Sequence, residues 1–251
     1  MRKNTLKQKL KNGEFCSGVF LGFDDPAVAK IIAHSGFDWV LIDTEHGHFT
    51  SNSVRAVMDA MQGAEATVIV RVADDSMAKT KEALELGAEG VLVPMIMDEK
   101  QTKRVIDNML YPPKGSRSTG FSRSNMFGLD MEYWKKGNDE LLTMMMIENI
   151  KTIENIDSIL SVSGVDVAYI GPYDLAASMG HVGGATHPDV IAAIDKVIAS
   201  CKKNNVICGQ FCASLEQAQT QAAKGIQMLC FTTDYFMISR EAKRLGAIKL
   251  G

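Results

Sequence analysis

Eight short apolar runs rich in β-branched residues, each followed by a segment of helical period, recur along the 251 residues and leave few folds open. The strand candidates are 15–21, 38–43, 67–72, 89–95, 142–148, 165–171, 206–212 and 226–232. Helix candidates occupy 26–35, 51–62, 76–86, 98–110, 152–162, 188–204, 214–224 and 234–245. Four junctions rhyme: SGFDWVLID, LGAEGVLVP, SGVDVAYIG and KGIQMLCFT. In each, a glycine (Gly36, Gly87, Gly164, Gly225) is placed to end a helix in a left-handed cap before the chain turns into a strand. Runs that are apolar throughout, rather than at alternate positions, imply burial on both faces, as in a parallel sheet covered by helices. Eight strand–helix units in 251 residues predict an α/β fold of the (β/α)8 TIM-barrel type, one domain spanning 1–251. A doubly wound open sheet is the alternative, weakened because no Gly-rich dinucleotide fingerprint follows the first strand.

Composition narrows the function classes. With 27 Lys and Arg against 30 Asp and Glu, the net charge of −3 argues against nucleic acid as a partner, since counter-ion release needs a basic face. No stretch approaches a membrane-spanning length of apolar residues, so no membrane partner is expected. The basic first residues lack the apolar core of a signal peptide. Five cysteines form an odd, scattered set that fits reduced thiols and a cytoplasmic location. Cys208 and Cys212 share one face of a strand and read as small buried hydrophobes; a metal site there would need a second Cys or His pair.

One connection exceeds the pattern. Residues 111–140 separate the fourth helix from the fifth strand and carry Arg117, Arg123 and several hydroxyls. Loops of this length are uncommon and often functional, so this one either covers an anionic ligand or is a solvated excursion with a short helix near 130–137.

In a barrel the site lies at the C-terminal ends of the strands, so polar residues there are informative. The second strand runs into Asp43-Thr44-Glu45-His46-Gly47-His48, the third ends at Arg71, the fifth at Glu148, and the sixth passes into Gly171-Pro172-Tyr173-Asp174. Glu148 and Asp174 suit a hard divalent cation, Mg²⁺ or Mn²⁺, which takes one or two carboxylates and leaves room for water and a chelating substrate. A salt bridge of either acid with Arg71 is the plainer reading. None of the strand segments contains a lysine, which disfavours an imine-forming aldolase. Metal-assisted enolate chemistry remains, with an arginine to neutralise charge and a histidine as general base. His34, His181 and His187 are assigned no role.

The phrases SGFDWVLIDTEHG, VIVRV, ALELGAEGVLVPM, YPPKGSRSTG, MIEN and YIGPYDLAASMG occur in this order and spacing. Together they resemble the HpcH/HpaI aldolase family over nearly the whole chain, from Gly18 to about Arg240. These are metal-dependent class II pyruvate aldolases acting on 4-hydroxy-2-oxo acids, including 4-hydroxy-2-oxoheptanedioate and 2-keto-3-deoxy sugar acids, in aromatic or sugar acid catabolism. The resemblance implies cleavage to pyruvate and an aldehyde, with a divalent cation (Mg²⁺ or Mn²⁺, or Co²⁺) and a homo-oligomer, trimer or hexamer. It implies His46 as the general base, Arg71 as the residue stabilising the enolate oxygen, and Glu148 and Asp174 as metal ligands. Asp43 matches an acid beside the base. Glu85 falls where the family carries an acid acting on the histidine; at the end of a helix it would have to act from a neighbouring subunit. Met146, Gly171, Pro172, Tyr173 and Arg117 fall around the substrate.

There are departures. Met146 stands where many members have Gln, Tyr173 where many have a small residue, and the long loop reads Arg117-Ser118-Thr119-Gly120 in place of RGxG. These departures motivate a second reading, an oxaloacetate decarboxylase or related C–C lyase on the same site. A non-catalytic keto-acid-binding protein is a third, disfavoured because binding alone needs no base.

Overall fold

Eight parallel strands, each hydrogen-bonded to the next in chain order and the last to the first, close a barrel in the computed structural model, which describes residues 2–249. The strands are β1 (Cys16–Leu21), β2 (Trp39–Asp43), β3 (Thr67–Arg71), β4 (Gly90–Val93), β5 (Leu142–Ile147), β6 (Val167–Ile170), β7 (Ile207–Phe211) and β8 (Met228–Thr233). All eight coincide with the expected runs, and closure removes the open-sheet alternative. The four rhyming glycines all take left-handed φ, between 91° and 97°, where a Cβ would be strained.

Two apolar layers follow from the pleat. Side chains pointing outward, such as Val40, Ile42, Val70, Val91 and Ile170, pack under the helices. Those pointing inward fill the barrel: Phe20, Trp39, Leu41, Ile69, Leu92, Met144, Met146 and Tyr169. Two glycines make room for the largest of them. A Cβ on Gly18 would fall 2.0 Å from the Trp39 ring, and one on Gly209 would fall 2.6 Å from the Tyr169 ring. The floor is closed by a helix that the hydrophobic pattern does not announce, α1 (Thr5–Lys11), whose Leu6 and Leu10 enter the inner layer. Asn4 caps it and donates to the carbonyls of Glu89 and Glu140 at 3.0 and 2.8 Å, while Lys7 pairs with Asp166 at 2.9 Å.

The outer helices begin as predicted, with α2 (Pro26–Ala33) capped by Asp25, then α3 (Ser51–Ala60), α4 (Met77–Glu85) and α5 (Glu99–Met109). The long connection holds a 3-10 turn at Arg123–Gly128 and α6 (Tyr133–Glu140). The expected helix at 152–162 is instead two, α7 (Ile150–Glu154) and α8 (Ile156–Leu160), because Asn155 leaves helical geometry at φ −102°, ψ 11°. A short α9 (Pro172–Ser178) follows β6, and α10 (Pro188–Asn204), α11 (Leu215–Ala223) and α12 (Asp234–Gly246) complete the ring. No helix among the described residues is long and apolar enough to cross a membrane.

Trp39 is fully buried, with edge contacts to Phe20 and Tyr169 at 6.2 and 6.0 Å, so its ring has nowhere to move. Gly18→Ala is therefore expected to destabilise the fold by about 1–3 kcal/mol through overpacking, measured by urea unfolding. Unchanged stability would mean that the inner layer is looser than this contact implies.

Candidate active site

The register of the barrel sets the site. Asp43 and Arg71 are direct partners at the C-terminal ends of β2 and β3, so their side chains emerge together. Both are nearly buried, and the guanidinium grips the carboxylate with two bonds, Nε to Oδ1 at 2.9 Å and Nη2 to Oδ2 at 2.6 Å. The other terminal nitrogen, Nη1, lies 2.9 Å from Glu45 Oε2. Asp43 Oδ1 also accepts from the backbone N–H groups of Glu45 and His46, both at 3.2 Å, and so shapes the turn that raises the imidazole above the rim. His46 is exposed, and its Nε2 is 3.9 Å from Glu45 Oε2.

Glu148 leaves the end of β5 and is buried; its Oε1 accepts from the Met95 N–H at 2.7 Å. Met95 takes a left-handed φ of 54°, uncommon without a glycine. Burial, more than any other influence, pushes the Glu148 carboxyl up to about 7; Glu45 and Asp174 act in the same direction, against the Met95 N–H and Arg71. Burial likewise raises Glu45, with Arg71 opposing. Asp174 sits exposed in the first turn of α9, a favourable place for a carboxylate. Gly171 keeps this corner open: a Cβ there would lie 2.8 Å from the Met146 methyl and 3.2 Å from Glu148 Oε2.

A cavity of about 370 Å³ opens over these groups. Asp43, His46, Arg71, Met146, Gly171, Pro172, Tyr173 and Asp174, all singled out from sequence, line it, with Phe20, Phe211, Thr233, Tyr235 and Phe236 opposite. Glu148 lies against its Gly171 corner. Sequence reasoning misses Glu45, whose signal is its place in the strand-end phrase between Asp43 and His46. It misses Met95 altogether, because a backbone donor leaves no trace in residue type.

Three expected residues, Arg117, Arg123 and Glu85, do not join the cavity within this chain. Arg117 is buried beneath the barrel, its guanidinium 4.4 Å over the Tyr111 ring and 3.2 Å from Glu85. Arg123 is spent on the Leu86 carbonyl at 2.8 Å and Asp59 at 2.7 Å. The expectation that the long loop covers this chain's own ligand is thereby corrected. A helix-to-strand connection returns to the N-terminal ends of the strands, opposite the site, and Glu85 at the end of α4 lies there too.

Three carboxylates, Asp43, Glu45 and Glu148, thus act on one guanidinium, and a fourth, Asp174, acts on Glu45 and Glu148. The imbalance and the all-oxygen donor set fit a hard divalent cation, with Glu148 and Asp174 as the acids not already clamped by Arg71. A different trio, His181, His187 and Asp189, brings three donor atoms within 4.8 Å. Its imidazoles are stacked 3.6 Å apart and tilted by only 17°, so their planes do not meet within bonding distance of either ring, and His187 Nδ1 instead accepts from the Asp189 N–H as the cap of α10.

The profile of the HpcH/HpaI aldolase/citrate lyase family matches residues 16–239. A hydroxypyruvate/pyruvate aldolase of Roseobacter denitrificans is 32% identical over 246 residues, covering 97% of this chain and 96% of the relative. A 4-hydroxy-2-oxo-heptane-1,7-dioate aldolase of Escherichia coli is 30% identical over 98% of this chain and 94% of its own. The crystal structure of a family protein from Burkholderia cenocepacia superposes with a TM-score of 0.94 at 28% identity, covering 96% and 97% of the two chains.

A carboxyl held up near 7 destabilises the fold once it is charged: the cost is absent below the ordinary carboxylate range and complete above about 7. Metal-free Glu148→Gln is therefore expected to be more stable than the metal-free parent near pH 8 by about 3 kcal/mol, the gap closing toward pH ~4.5. Urea unfolding across that range reads it, and a gap independent of pH would mean that Glu148 ionises without cost.

Proposed function

Because the chain belongs to the HpcH/HpaI aldolase/citrate lyase family and is a carbon–carbon lyase, we propose that it cleaves and forms 4-hydroxy-2-oxo acids, with pyruvate and an aldehyde as the other side of the reaction. The observation that carries this reading is the meeting, at one rim, of a clamped Arg71, the paired acids Glu148 and Asp174, and an exposed His46. A divalent cation of the Mg²⁺ or Mn²⁺ type, with Co²⁺ a further candidate, would be held by Glu148 and Asp174 and supply a Lewis acid for the oxygens of the 2-keto acid.

The protein's own groups do the rest. Asp43 fixes the guanidinium of Arg71 by two bonds, so it is already oriented toward charge that develops on the C2 oxygen. His46 takes the C4 hydroxyl proton as the C3–C4 bond breaks. The bond's electron pair passes to C3 as the enolate, the C4 oxygen becomes the aldehyde carbonyl, and a proton returned to C3 completes pyruvate. No oxidant or reductant is required. Glu45 Oε2 stands 3.9 Å from the imidazole Nε2, beside the group that takes the proton.

We read the assembly as a homo-oligomer, a trimer or hexamer. Phe121, Met126, Phe127 and Leu129 on the long loop are each more than half exposed, as are Ile238 and Ile248 near the C-terminal end, an amount of apolar surface that a second copy would bury. Such an assembly would give Glu85 a role, since it can meet a His46 only across subunits. The five unpaired, buried cysteines support a reducing, cytoplasmic setting.

Three outcomes test the reading. Pyruvate release from a 4-hydroxy-2-oxo acid should disappear after chelation and return with Mn²⁺; turnover unaffected by chelation would overturn it. His46→Ala should lower cleavage by about 10²–10⁴-fold while pyruvate affinity by calorimetry stays unchanged, and a normal rate would remove His46 as the base. Co-expressed His46→Ala and Glu85→Ala chains should regain activity that neither homogeneous oligomer has, whereas additive low activity would place Glu85 outside any shared site.

A further inference from the structure

The cavity is chemically two-sided. Its acidic, basic and imidazole lining residues, Asp43, His46, Arg71 and Asp174, all stand at or just after the C-terminal ends of β2, β3 and β6. Across from them, Phe20 of β1, Phe211 of β7, and Tyr235 and Phe236 at the start of α12 form an aromatic wall, which Tyr173 extends. The rings meet edge to face: Phe20 with Phe211 at 5.9 Å, Tyr173 with Phe211 at 6.2 Å, and Tyr235 with Phe236 at 4.9 Å. Phe20 also lies under the Arg71 guanidinium, at 5.4 Å, so the wall begins where the keto acid's site ends.

The wall is held in place rather than loosely folded in. Asp234 is buried and accepts from the N–H groups of Gly22 and Phe23 at 3.0 and 2.8 Å and from Tyr235 at 2.8 Å, which ties the end of β1 to the start of α12. Met146, on the floor, offers a thioether and no hydrogen-bond donor. Among the described residues, Arg71 at the edge of the wall is the cation that lines the cavity; Arg240 lies 5.3 Å over the Phe236 ring but is not among the lining residues. A carboxylate-bearing group placed there would lose water and meet no cation but Arg71 among the lining residues, and a polyhydroxylated group would exchange its water for the hydroxyls of Thr233, Tyr173 and Tyr235 alone, whereas a flat apolar group would gain contact on several sides.

Resting on the aldolase reading, we propose that the aldehyde partner carries an uncharged, apolar, ring-sized group seated against Phe20, Phe211 and Tyr173. The substrates are then 4-aryl or bulky 4-alkyl 4-hydroxy-2-oxo acids rather than dicarboxylic or sugar-derived ones. The bond changes are those already given, with the ring a spectator.

The test uses the full-length enzyme with Mn²⁺ and pyruvate and compares kcat/KM for benzaldehyde, succinic semialdehyde and glyceraldehyde. Exchange of the pyruvate methyl protons with solvent deuterium, followed by NMR without any aldehyde, is measured in parallel. Benzaldehyde is expected to be favoured over the other two by about tenfold or more, with the difference mainly in KM. Tyr173→Arg alters a half-exposed side chain and so spares folding; it should shift the benzaldehyde to succinic semialdehyde ratio toward the acid by about tenfold, and a ratio taken within one preparation cancels any loss of active protein. Methyl exchange together with a preference for succinic semialdehyde or glyceraldehyde would overturn this inference and leave the aldolase reading standing. Absence of exchange would overturn both.

Discussion

The bidentate contact between Arg71 and Asp43 is the interaction on which the site depends. Burying such a pair costs desolvation that only good geometry repays, and the geometry comes from β2 and β3 lying in a register that makes the two residues direct partners. One carboxylate thereby orients the guanidinium toward the cavity and organises the turn that carries His46. A shift of one residue in that pairing would turn one side chain into the helix layer and leave the other charge buried alone.

Around that pair the barrel separates binding from support. Every residue that lines the cavity lies in the C-terminal part of a strand or in the segment just after it, while the segments returning from the helices gather beneath the floor with α1. The long loop belongs to the floor, and its arginines staple it to α3 and α4. The resemblance to family members points to Glu85 and Arg117 as site residues, yet the chain direction places them at the far end. Only a second subunit can reconcile the two, which is why oligomerisation enters the functional reading at all.

The excess of acid at the rim has a second consequence. With Asp43 and Glu45 engaged by Arg71, burial and like charge push the Glu148 carboxyl up to about 7, and the cation proposed for this site would favour its charged form. The aromatic half of the cavity contributes no charge to this arrangement. In the proposed reading, reactivity and selectivity are drawn from opposite sides of the same mouth.

Much of this is legible in the residues themselves. Unbroken apolar runs and glycine-capped junctions determine eight parallel strands, because burial on both faces and left-handed helix ends are local demands that only certain residues meet. Strand ends carrying Asp43, His46, Arg71, Glu148 and Asp174 announce the site for the same reason: charge after an apolar run is costly unless it is used. Three things wait for the tertiary structure. The floor helix escapes because Leu6 and Leu10 are too few to show a period; the break at Asn155 escapes because helical period survives a single kink. The third is which groups face one another. Glu45 against Arg71, the Met95 N–H against Glu148, and the aromatic wall against the charged one are distances between strands remote in sequence. Only closure of the barrel decides them, since register and closure are set by all eight strands packing together and by no one of them alone.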